Sequence, residues 1–246
     1  MKKSFLRVNQ PVYRVKLPSG LELSYKPFLV RHEKALLTAS EISKDSGEQK
    51  HVIETLRNVI QECLDVQGQE DVNVDELPIF DIEMLFLHLR SRSIGEEINL
   101  RLICPDDNET QVDYTLSIDQ IKTKTFPEHT NVIDLQNYKF YMRYPGLKSF
   151  VKFNFLRQNE YDDILELLSD CVDKIVDTET EEAIDRRDIN SEEVKEFFES
   201  LPRKEFEKIN KFFETMPKIY HEARVTNPKT KVKSKIELQG LSDFLS

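Results

Sequence analysis

Cys104 opens the stretch "CPDDNET" at the corner of a β-hairpin, and cysteines in that position hold metals when they come in pairs. A tetrahedral thiolate site needs about four ligands, and the other two cysteines are far off in the chain. Cys63 and Cys171 fall on apolar stripes, where a thiol is a small hydrophobe. The histidines, at 32, 51, 88, 129 and 221, are scattered, and none has a Cys-His spacing suited to a metal. Asp162, Asp163 and Glu166 share one side of a predicted helix, but a cation needs a second, converging set of oxygens. An acidic solvent face accounts for them without one. No phosphate-cradling glycine loop, HExxH or GxSxG element is present, and six glycines leave little material for such a cradle. The residues therefore name no nucleophile, base and orienter, and no cofactor. Lys229, Lys231, Lys233 and Lys235 alternate along a hairpin, facing solvent, where they protect a strand edge or meet an acidic partner.

The elements that position these residues read as α+β. Val12 to Leu17 and Leu21 to Lys26 alternate as a hairpin around Pro18-Ser19-Gly20. Helical periodicity follows over residues 29–42 and 49–64, the second with a wide stripe from Val52 to Leu64. Pro78 starts a strongly apolar central helix ending near Arg90 and Arg92. Ile98 to Cys104 and Thr110 to Leu116 form a second hairpin, and Val132 to Leu135 with Tyr138 to Tyr144 a third. A helix is predicted from Gln158 to Val176, followed by an acidic loop, "DTETEEAIDRRDINSEE". Two short helices then run from Ser191 to Ser200 and from Pro202 to Met216, before a basic-turned hairpin and the terminal "LSDFLS". These divide as residues 1–95, 96–146 and 147–246, forming one unit or two packed domains.

A chain of 246 residues buries a sizeable core, and a net charge of -10 sets its field against nucleic acid and anionic membrane. Protein partners are expected instead. Three cysteines suit a reducing compartment. "MKKSFLRVNQP" begins like a signal peptide but lacks the apolar run, and no stretch reaches the roughly 18 apolar residues of a membrane span. The expected location is the cytoplasm of the cell that makes the chain.

Phe197, Phe198, Phe206, Phe212 and Phe213 form the densest aromatic set, with Lys204, Lys208 and Lys211 recurring on the same helix. Two readings remain open. A pair of helices packs such residues into a core, or presents them to a partner with the lysines as a steering rim.

Three stretches, "YRVKLPSGLELSYKPFLVRHEKALL", "LPIFDIEMLFLHLRSRSIGEEINLRLIC" and "FFETMPKIYHEARV" through "IELQGLSDFL", resemble the baseplate proteins of T-even-type tailed phages. The family includes the baseplate-hub assembly catalyst and the small baseplate-hub subunit. The resemblance implies a helical core with short antiparallel hairpins, two of which form a zinc-ribbon-like pair carrying CxxC motifs. Here Cys104 remains, Asp107 stands for its partner, and Thr226 and Lys229 occupy the final turn, so the resemblance implies a degenerate site with no metal. It also implies a non-enzymatic, chaperone-like assembly factor, active in the host cytoplasm with other baseplate hub proteins as partners. The alternatives are a structural hub subunit resident in the virion tail baseplate, and an unrelated enzyme or binding module. Nothing in the sequence signals an oligomeric state.

Overall fold

The computed structural model describes residues 9–46, 50–148 and 161–245. Strands β1 (Tyr13–Lys16) and β2 (Glu22–Tyr25) pair antiparallel around a turn in which Gly20 takes the left-handed backbone (φ +95). That turn is tied down from below. Ser19 N–H donates to Asp81 Oδ1 at 2.9 Å, and Asp81 is fully buried on the central helix.

Helices α1 (Val30–Ser46) and α2 (Lys50–Leu64) pack against each other. α1 begins where expected because His32 Nδ1 accepts the Leu29 N–H at 3.2 Å, satisfying a donor that the first helical turn leaves unpaired. His32 Nε2 lies 3.1 Å from Glu62 Oε2 and 3.2 Å from Arg31 Nε, so the ring ties the start of α1 to α2. The stripe of α2 buries Leu56, Val59, Ile60, Cys63 and Leu64. Helix α3 (Ile79–Ser93), capped by Pro78, is apolar on nearly every side and so lies in the middle of the fold.

Two long hairpins complete this half: β3 (Glu97–Ile103) with β4 (Gln111–Ser117), and β10 (Lys218–Thr226) with β11 (Lys233–Gln239). A short strand that the periodicity did not announce, β5 (Lys122–Lys124), pairs with the start of β10. The final "GLSDFL" is helix α7 (Gly240–Leu245), whose Phe244 is fully buried. The resulting core joins residues from Val15 to Leu147 with those from Ile219 to Phe244, thus drawing on all three segments of the chain.

A second core lies between. Strands β6 (Val132–Leu135), β7 (Tyr138–Met142), β8 (Val172–Asp177) and β9 (Ala183–Asp185) form an antiparallel sheet in that order, covered by helices α4 (Tyr161–Asp170), α5 (Ser191–Ser200) and α6 (Arg203–Thr215). Two expectations are corrected here. The helix predicted to Val176 ends at Asp170, because Val172, Ile175 and Val176 are β-branched residues that pair with β7. Gln158 to Glu160, its predicted start, lie outside the described residues. The acidic segment expected as a loop contributes β9, since Ile184 and Ala183 pair with Ile175 and Val176.

The cores meet at Tyr144, which packs against both. His129 sits at this seam, stacked on Tyr144 with ring centroids 5.6 Å apart. Thr215 Oγ1 gives its proton to the Lys211 carbonyl and therefore accepts from His129 Nδ1–H at 2.9 Å, leaving Nε2 to accept from the Tyr144 hydroxyl at 2.9 Å. The proton inventory thus selects one neutral tautomer.

Candidate functional site

Cys104 is fully buried, and its turn repeats in the other long hairpin. Cys104-Pro105-Asp106-Asp107 and Asn227-Pro228-Lys229-Thr230 begin alike. Asn108 N–H donates to the Cys104 carbonyl and Lys231 N–H to the Asn227 carbonyl, each at 2.9 Å. Four residues after the opening one, Asn108 (φ 56) and Lys231 (φ 65) both take the left-handed conformation. The residues that correspond to Cys104 and Asp107 are thus Asn227 and Thr230. This corrects the alignment that placed Thr226 and Lys229 there: Thr226 is still within β10, and Lys229 points from an exposed turn.

The two turns are held together by hydrogen bonds. Asn227, fully buried, donates from Nδ2 to Asp107 Oδ2 at 2.9 Å and to Asp106 Oδ2 at 3.1 Å. Its Oδ1 accepts the N–H groups of Lys229 at 2.8 Å and Thr230 at 3.3 Å. Thr230 Oγ1 donates to Asp106 Oδ2 at 2.5 Å. Asp107 also accepts from the Thr110 hydroxyl and N–H and from Glu109 N–H, and these bonds, the Thr110 hydroxyl first, hold its carboxyl far below the usual carboxylate range. Burial, reinforced by the Asp106 and Asp107 charges, pushes the Cys104 thiol up and disfavours the thiolate that a metal would require. Among the described residues no three His, Cys, Asp or Glu side chains converge as a metal site. The histidines are dispersed too. His221 donates from Nδ1 to the Gln120 carbonyl at 3.3 Å and accepts the Tyr114 hydroxyl at 2.8 Å, tying one hairpin to the other.

The aromatic set divides. Phe198 and Phe212 are buried in the second core, so neither presents an anchor to a partner; they fill the space between the sheet and the α5–α6 pair. Phe197, Phe206 and Phe213 are half-buried on its margin. Phe197 stacks on Phe140 at 5.5 Å, and Phe213 meets Phe212 edge-on at 4.9 Å. Lys204, Lys208 and Lys211 are exposed, with Lys208 Nζ 2.7 Å from Glu205 and 2.8 Å from the Asp134 carbonyl. Lys208 and Lys211 edge a groove of about 260 Å³ with Glu128, Asp134 and Thr215. Glu166 pairs with Lys148 at 3.2 Å, whereas the side chains of Asp162 and Asp163 lie outside those described.

The model of a family described as T4 bacteriophage base plate protein matches residues 10–246. The chain belongs to that family. Comparison with curated proteins and with solved structures finds no match. A member of the baseplate family is a component or participant of tail construction in a bacteriophage and works through protein–protein contacts. Among the described residues of this baseplate-family chain, no helix is long and apolar enough to cross a membrane. Sequence reasoning missed Asn227 and Thr230. The signal was there in the shared proline, one residue after Cys104 and one after Asn227.

Proposed function

We propose that the protein is a chaperone-like assembly factor for the central hub of the phage tail baseplate, not an enzyme. It acts on other hub proteins in the host cytoplasm through its surfaces. The observation that carries this reading is membership of the baseplate family across residues 10–246. Of the residues assigned from sequence to partner binding, Phe197, Phe206 and Phe213 with Lys204, Lys208 and Lys211 remain available at the surface for that role. In the same reading the Cys104 and Asn227 turns are the remnant of a metal-stapled hairpin pair, now clamped by Asp106, Asp107, Asn227 and Thr230.

Quantitative mass spectrometry of purified mature tails tests the assignment. The expected result is absence or strong substoichiometry of this chain, together with failure of hub formation when it is deleted. Stoichiometric copies in every baseplate would instead make it a structural subunit.

A further inference from the structure

The row of apolar side chains that crosses the sheet of the second core does not stop where the core stops. Phe140 on β7 faces Ile175 on β8, and Ile175 faces Ile184 on β9, so the three share one side of the sheet. Phe140 is buried beneath Phe197 and Phe198 of α5. Ile184, past the helix's cover, is 48% exposed. Between them lies an open groove of about 220 Å³, lined by Tyr138, Ile175, Ile184, Ile189 and Phe197, with Asp188 and Glu193 on its rim. That volume fits one large apolar side chain.

The charge around the groove is strongly one-sided. Residues 177–199 carry ten carboxylates against three cations, a net charge of -7, in a chain whose total is -10. Nine of these carboxylates, all but Asp177, are exposed. No ion pair among the described residues engages any of the ten; Arg186, one of the three cations, turns away to Glu76 at 3.3 Å. An apolar cavity alone would accept many partners. With Asp188 and Glu193 on its rim free of ion pairs among the described residues, in a segment of net charge -7, it repels acidic ones and concentrates basic ones.

We infer that this groove docks a basic segment of a partner protein through a single large apolar anchor residue flanked by lysines or arginines. The apolar anchor supplies the desolvated contact, and the flanking cations meet Asp188, Glu193 and the carboxylates of α5. This deepens the assembly-factor reading and rests on it only in taking the partner from among the hub proteins.

The test uses the full chain with isoleucine methyl labels and a capped lysine peptide carrying one central leucine. Saturable shifts of the Ile184 and Ile189 methyls are expected. They weaken about tenfold or more when serine replaces the leucine, and again when salt rises from about 50 to about 300 mM. A glutamate peptide with the same leucine gives no shifts. Asp188→Lys and Ile184→Ser, each checked for cooperative unfolding, weaken binding by about tenfold, read at Ile175 and Ile189. Should Ile184→Ser unfold, Ile184→Ala serves in its place. No shifts with the lysine–leucine peptide, shifts elsewhere only, or equal binding of the serine peptide would overturn the proposal. So would concentration-dependent dimerisation, seen by sedimentation and lost in Asp188→Lys, since the occupant would then be a second copy. Tail composition is measured separately, so either reading can fail alone.

Discussion

Both polar atoms of the Asn227 side chain are committed, Nδ2 to the carboxylates of Asp106 and Asp107 and Oδ1 to the N–H groups of Lys229 and Thr230. Asn227→Ala is expected to cost about 2–4 kcal/mol, the scale of losing charge-assisted bonds at a buried site, and denaturant unfolding measures it. Asn227→Asp, the same size but only an acceptor, places a third carboxylate among two and is expected to cost more at pH 7 than the alanine. The Asp107 contribution follows the depressed-carboxylate sign: it is full above the unfolded value of about 3.9 and fades as pH falls toward the lower folded value. Asp81 has the opposite sign. Its Oδ2 is buried with no hydrogen-bond partner among the described residues, and burial raises its pKa, so the native state loses stability as pH rises through the window above the unfolded value. Asp81→Asn keeps an oxygen for Ser19 N–H and removes the charge. Its melting temperature should exceed the wild type's at pH 7, by more than at pH 4.

At the scale of elements, α5 and α6 are held by their buried phenylalanines. Phe198→Ala and Phe212→Ala are each expected to destabilise by about 3–5 kcal/mol, the range for emptying a core aromatic site, and Phe213→Ala, on the margin, by less. Chemical denaturation of the three variants decides the order. Hub formation should track folding in the first two. The stripes that define α2 and α6 were legible because each helix meets its neighbours along its own periodicity, and α3 was legible as a continuous apolar run after Pro78. Strand β8 was not, since Leu167, Leu168, Cys171, Val172, Ile175 and Val176 also fit a helical spacing, and only the free edge of β7 makes the last three a strand. Strand β5 is three residues long, too short to show a pattern before β10 pairs with it. The clamp was half legible: Cys104 and Asp107 stand out by type, whereas Asn227 and Thr230 look like ordinary turn residues until the two hairpins are brought face to face.

For the whole molecule, the seam at His129 and Tyr144 couples one core to the other. Burial depresses the His129 pKa, so its neutral form is native, and the stability it contributes is full above the unfolded value of about 6.5 and lost as pH falls through the window below. Calorimetry should show a melting temperature that declines from pH 7 to pH 5, and His129→Ala should split the unfolding into two transitions while reducing that decline. His88, shifted in the same direction, leaves a residual. The interleaving of the cores also imposes an order on synthesis. The lobe from Val132 to Thr215 has all its strands and helices once Thr215 has left the ribosome. The surrounding core, begun at Val15, waits for β10, β11 and Phe244. Contacts of shorter sequence span form sooner, so the lobe bearing the acidic groove becomes protease-resistant on the nascent chain while α3, made earlier, still lacks β10 and the terminal helix that pack on it.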